Sequence, residues 1–302
     1  MTLGYDQPLY LLAFDHRGSF EKGLFGATEP VSAEVKAGII DAKELIFEGH
    51  LKAVKSGAVP AAAAGVLVDE EFGTSVARKV KAAGTPLAMP VERSGQDEFE
   101  FEFGDDFAKH IETFDPTFAK VLVRYNPEGD AELNRRQTDR LTQLSRWLRA
   151  HERKFLFELL VPATTEQLDR YEGQGHYDRE LRPALVLEVI RRMQTADVEP
   201  DVWKIEGLDQ AEDCRRVVSQ ARSGGREGVV CIILGRGADE PKVLEWVRVA
   251  ASVEGFDGFA VGRTIWNDPL RKFLAKEASR DDTVHEIARR YKEIYDTYVA
   301  AT

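Results

Sequence analysis

Cysteine is scarce: Cys214 and Cys231 are the only two in 302 residues. A chain of this length can bury a core without staples, so no disulfide framework is expected and a reducing, cytoplasmic setting is the natural one. Basic charge is also short, since 41 Lys and Arg face 52 Asp and Glu for a net charge of -11. That balance disfavours nucleic acid or an anionic membrane as a partner. No apolar stretch nears the roughly 18 residues of a membrane span. Met1 to Pro8 has no basic start leading into an apolar run, so neither an anchor nor a signal peptide is expected. Low-complexity linkers are missing too, which favours a single domain over residues 1–302.

What the chain does have is an alternation of short apolar runs with longer amphipathic ones. The strand-like runs are Leu9 to Phe14, Gly65 to Val68, Pro86 to Pro90, Lys120 to Tyr125, Phe155 to Leu160, Val202 to Ile205, Val229 to Leu234 and Gly258 to Val261. Helical sequence follows each: Ser32 to Lys55, Thr74 to Ala83, Phe107 to Thr113, Asp130 to Arg153, Tyr177 to Thr195, Asp209 to Arg222, Glu240 to Ser252 and Leu270 to about Tyr298. Continuous apolar strands of this kind are buried on both faces, and eight strand–helix units in about 300 residues predict a (β/α)8 TIM barrel. The alternative, an open doubly wound sheet, lacks a Gly-x-Gly-x-x-Gly after the first strand. The run Phe99-Glu100-Phe101-Glu102-Phe103 alternates like an edge strand and reads as packing or interface.

In such a barrel, chemistry sits at the C-terminal ends of the strands. Lys204 lies inside the strand Val202 to Ile205, with Val202 and Glu206 on its face. A strand lysine more often reaches for water or pairs with an acid. Here other charged residues occupy equivalent places on separate strands: Asp15 after the first, Lys120 and Arg124 on the fourth, Glu158 on the fifth. A lysine that attacks a ketone must be neutral, which at pH 7 describes roughly one free lysine in a few thousand. Burial and a nearby cation such as Lys120 favour the amine. Carboxylates such as Glu158 and Asp15 can move the protons of imine formation and C–C cleavage. The bland reading, a buried Lys–Glu pair without chemistry, suits any two of these residues better than all four.

Leu234-Gly235-Arg236-Gly237 and Val261-Gly262-Arg263-Thr264 end the last two strands with glycine and arginine, at the usual phosphate-binding loops of this fold. A lone Gly-Arg is a weak sign, since a tight turn with a solvated arginine reads the same; its repetition favours an oxyanion site. Six histidines show no paired metal-ligand spacing, and no serine or cysteine sits in a nucleophile elbow. Neither a metal nor a cofactor is expected.

The ordered motifs Phe14-Asp15-His16-Arg17-Gly18, Val68 to Gly73, Lys120 to Tyr125, Phe155 to Leu160, Asp201 to Glu206 and Gly258 to Trp266 resemble those of class I aldolases of the tagatose-1,6-bisphosphate type. The similarity is closer still to the aldolase-like domain fused to 5-dehydro-2-deoxygluconokinase in inositol catabolism, and it runs from about Tyr10 to Tyr298. The resemblance implies a metal-independent barrel lyase in which Lys204 is the Schiff-base lysine, Glu158 and Lys120 its acid/base partners and Asp15 the first-strand acid. It implies phosphate contacts from Gly235, Arg236, Gly262 and Arg263, with His16, Arg17 or Arg124 for a carboxylate end. The implied reaction is cleavage of 6-phospho-5-dehydro-2-deoxygluconate to dihydroxyacetone phosphate and malonate semialdehyde. Two positions depart from the tagatose enzymes: His16 replaces a glutamine, and Arg236 a smaller residue. Alternatives are a lyase or aldol transferase acting on another phosphorylated or sulfonated ketose, and a non-catalytic sugar-phosphate-binding barrel that partners a kinase. Homo-oligomerisation stays open.

Overall fold

The computed structural model describes residues 2–27 and 30–302. Eight parallel strands close into a barrel in chain order: β1 Leu9–Ala13, β2 Ala64–Leu67, β3 Leu87–Pro90, β4 Phe118–Arg124, β5 Lys154–Leu160, β6 Val202–Glu206, β7 Val230–Leu234 and β8 Phe256–Val261. β8 pairs back onto β1, so no strand edge is left open. The expected TIM barrel is the fold.

Alternation along each strand divides the protein into two apolar compartments. Leu9 and Leu11 of β1, Phe118 of β4, Leu156 of β5, Val202 of β6 and Ile232 of β7 fill the lower barrel. Their neighbours, such as Phe155, Phe157, Trp203 and Ile205, point outward into the layer shared with the helices. This is the packed, pore-free interior that parallel barrels require. The helices begin where the sequence offers caps: Ser32 accepts from Val35 N, Asp130 from Leu133 N, and Ser279 forms a reciprocal box with Asp282.

Gly258 takes a backbone conformation (φ 148°) that other residues avoid, and a Cβ there would lie 2.0 Å from Leu9 O. The β8–β1 seam therefore needs glycine at this point. Gly258→Ala should destabilise the protein by about 1–3 kcal/mol or more; unchanged urea midpoint and slope would refute this view of the seam.

Several elements differ from the sequence reading. Short helices occupy Gly18–Gly23 and Thr165–Arg170, and the stretch Tyr177–Leu181 is a π-helical turn leading into the helix Arg182–Thr195. The Gly-Arg motif after β8 is not a loop, because Arg263 starts a helix that runs to Leu274. The run Phe99 to Phe103 makes one antiparallel bridge, Phe101 with Glu92, and folds back over the end of β3. Phe99 is buried and Phe101 stacks on Phe107, while Phe103 stays exposed, so the segment mainly packs.

Candidate active site

A pocket of about 460 Å³ opens at the C-terminal mouth of the barrel. Its floor is set by strand phase. Continuing the inward positions of β1 beyond Ala13 gives Asp15, those of β3 beyond Pro90 give Glu92, and β4, β5 and β6 contribute Lys120, Glu158 and Lys204 directly. Glu158 and Lys204 are register partners in adjacent strands.

The five groups form one connected cluster. Lys204 Nζ lies 2.7 Å from Glu158 Oε1. The other oxygen, Glu158 Oε2, lies 3.0 Å from Lys120 Nζ. Lys120 Nζ also donates to Asp15 Oδ2 at 2.9 Å and to Glu92 Oε1 at 2.6 Å. Its ammonium is thus surrounded by three carboxyl groups, two of them hydrogen-bonded to it, and its side chain is only 1% exposed. Burial alone would strip the proton from Lys120, but Asp15, Glu158 and Glu92 together raise its pKa above the ordinary lysine value. Burial opposes the charged forms of Asp15 and Glu158 as well; Lys120, with Lys204, overrides it and holds both below the usual carboxylate range.

His16 sits beside this cluster with Nδ1 3.9 Å from Asp15 Oδ1, its ring edge-on to Trp266 at 5.3 Å. Burial pulls it down to about 4, Arg263, Lys43 and Lys204 push the same way, and only Asp15 opposes them. The imidazole is therefore neutral at physiological pH, a hydrogen-bonding group rather than a cation. Behind it, buried Lys43 donates to Phe14 O and His16 O at 3.0 and 2.9 Å and pairs with Asp69, fixing the turn that carries Asp15.

The remaining expected residues divide. Gly235, Gly262 and Arg263 line one side of the pocket, where a Cβ on Gly262 would lie 2.3 Å from Ala13 O. The Arg263 guanidinium lies against the Gly237 turn and has no carboxylate partner among the described residues. Arg236 is different: its Nε is 2.9 Å from Glu206 Oε1 and its Nη1 donates to Asp178 at 2.8 Å, so two carboxylates already occupy it. Arg17 is similarly engaged, donating to Glu92 O at 2.8 Å and to Glu102 at 3.2 Å. Arg124 donates to Gln96 O, and it and Lys22 face the pocket without a carboxylate partner among the described residues. Asp69 and Glu70, at the end of β2, are turned to Lys43 and His110 instead.

Sequence reasoning missed Glu92, Lys22 and Thr264, all of which line the pocket. Glu92 was within reach, since two-residue alternation from Ala88 and Pro90 lands on it. Among the described residues no group of three or more His, Cys, Asp and Glu is arranged to hold a metal ion; the cation shared by Asp15, Glu92 and Glu158 is the Lys120 ammonium.

The chain is similar in sequence, at a distance, to tagatose 1,6-diphosphate aldolases, and similar in fold to fructose-bisphosphate aldolases. It is 29% identical over 200 residues to the tagatose 1,6-diphosphate aldolase of Listeria monocytogenes serotype 4b, an alignment covering 65% of this chain and 54% of that one. The chain thus spans about half the length of the curated relatives it matches. Among solved structures, fructose-bisphosphate aldolase from Plasmodium falciparum superposes with a TM-score of 0.67 at 14% identity, covering 97% of this chain and 91% of that one. A Schiff-base-forming fructose-1,6-bisphosphate aldolase does so with a TM-score of 0.58 at 14% identity, covering 96% and 93%. The chain belongs to the family described as "Uncharacterized protein conserved in bacteria (DUF2090)", whose model it matches over residues 4–302.

Proposed function

We propose that the protein is a class I aldolase that cleaves an open-chain ketose phosphate through an imine on Lys204. The observation that carries this reading is the pairing of buried Lys204 with Glu158 at 2.7 Å on the floor of the pocket, with Lys120 bracketed beside it. Glu158 takes a proton from Lys204, and the free amine attacks the ketone carbon. The same carboxyl returns that proton to the former ketone oxygen and then relays a second from the attached nitrogen, so that water leaves and the iminium forms. Asp15, held ionised by Lys120, accepts the proton of the hydroxyl two carbons from the iminium carbon. As that proton leaves, the C–C bond breaks, its electrons enter the iminium to form the enamine, and the aldehyde departs. Reprotonation of the enamine carbon and hydrolysis of the imine release the ketone product and restore Lys204.

The substrate has anionic groups at both ends in this reading. Arg263, the free first N–H groups of the helix it begins, and the Gly235 and Gly262 turns face a phosphate. Lys22 and Arg124, which also line the pocket, face a carboxylate. Together with the resemblance in motifs, that arrangement favours 6-phospho-5-dehydro-2-deoxygluconate, giving dihydroxyacetone phosphate and malonate semialdehyde. Arg263→Ala should raise the KM for the phosphorylated ketose about 10- to 100-fold with kcat within a few-fold, the pattern of lost uniform binding. An unchanged KM in steady-state assays would remove Arg263 from the phosphate site.

Borohydride trapping with dihydroxyacetone phosphate, followed by intact mass and peptide mapping, tests the reading itself. A single adduct on Lys204 is expected. A folded protein that gives no adduct with this ketone, nor with a panel of ketose phosphates and sulfonates, overturns the assignment.

A further inference from the structure

The pocket floor holds one carboxylate more than its lysines balance. Asp15 and Glu158 offset Lys120 and Lys204, and Arg17, the next cation, is paired with Glu102. Glu92 is the surplus acid. Its Oε1 accepts a hydrogen bond from Lys120, but its Oε2 is buried with no hydrogen-bond partner among the described residues, and the residue lines the pocket. A buried carboxylate oxygen without a donor is costly, whereas a carboxylic acid places its hydroxyl there and turns it toward the cavity. The backbone leaves Glu92 little freedom to escape: Val91 O accepts from Glu102 N, Arg93 N donates to Glu100 O, and Glu92 O accepts from Arg17.

We propose that Glu92 is kept as a neutral carboxylic acid whose Oε2 hydroxyl donates a hydrogen bond to an oxygen of the bound substrate, on the Lys120 side of the pocket floor. The inference rests on the aldolase reading for the identity of the substrate, but not for the protonation state. The groups that face Glu92 are Lys120 from β4, Asp15 and Arg17 from the turn after β1, and Glu158 of β5 beyond Lys120. Burial raises the Glu92 pKa, and Asp15 adds to that; Lys120 and Arg17 oppose it without cancelling it. A raised folded-state value means that folding stability is full below the ordinary glutamate range and declines as pH rises through the folded-state value.

Glutamine reproduces a neutral acid in shape and in donor position, so Glu92→Gln and Glu92→Ala separate the two protonation states. Isotope-edited infrared spectra of the ligand-free protein at neutral pH should contain a carboxylic-acid C=O band that Glu92→Gln removes. In kinetics with the phosphorylated ketose, Glu92→Gln should keep kcat/KM within about threefold, while Glu92→Ala should lose about tenfold or more, the worth of one hydrogen bond to substrate. The alkaline decline of wild-type kcat/KM should also flatten in Glu92→Gln. Absence of the acid band, or a Gln variant as impaired as the Ala variant, overturns the proposal, since an ionised Glu92 serving Lys120 alone predicts both. If no imine forms with any ketose, the aldolase reading fails, and the infrared comparison still decides the state of Glu92.

Discussion

Lys204→Met should abolish imine trapping and lower turnover on the order of 10⁴-fold or more while leaving the fold intact. Methionine keeps the length and apolar stem of the side chain, so the lower barrel layer of Val202, Leu156 and Ile232 stays filled. Glu158 also keeps its contact to Lys120 at 3.0 Å and is not left as an isolated buried anion. The variant therefore isolates the loss of the amine from the loss of structure. Borohydride labelling, steady-state turnover and circular dichroism on the same preparation check it. Retained cleavage in a folded variant would mean that the chemistry does not pass through Lys204.

Lys120→Met should have the largest effect on stability, about 3–5 kcal/mol at neutral pH. The substitution leaves Asp15 without its ion-pair partner and removes the donor to Glu92 Oε1, where both carboxyl groups are largely buried. The pH dependence should reverse as well. In the wild type the depressed pKa values of Asp15 and Glu158 mean that their contribution is present above the ordinary carboxylate range and is lost as pH falls through the folded-state values. Without Lys120, the weaker pull of Lys204 is left against the burial of Asp15, its pKa rises, and stability is lost as pH increases instead. Urea unfolding on the acid and alkaline sides of neutrality tests this; a variant that is still more stable on the alkaline side would refute the view that Lys120 is what keeps Asp15 ionised.

The barrel and most of its floor were legible in the sequence because one rule governs both. Two-residue alternation in continuous apolar strands reveals burial on both faces, and the same alternation carries Lys120, Glu158 and Lys204 inward. The rule loses its force where strands end. Pro90 closes β3, so Glu92 was passed over, although Asp15 stands in the same relation to β1. Long-range pairing was out of reach. Nothing local shows that Arg236 is held by Glu206 and Asp178, or that Arg17 is held by Glu102, since these partners come from distant parts of the chain. The helix Arg263–Leu274 was hidden by Pro269 inside it, which reads as a breaker.

Glu158 and Lys204 are directly opposite each other in the pairing of β5 with β6. Apolar strands are weak at specifying how far one slides past the next, because Leu, Val and Ile are nearly interchangeable against one another. A slip of one residue would turn Lys204 out among the helices. A slip of two would set it against Leu156 or Leu160, an ammonium facing hydrocarbon. Only the native alignment satisfies the charge. The cluster that equips the pocket for chemistry thus doubles as an alignment mark during assembly, and a chain that closes its barrel out of step is penalised at the site it would need to work.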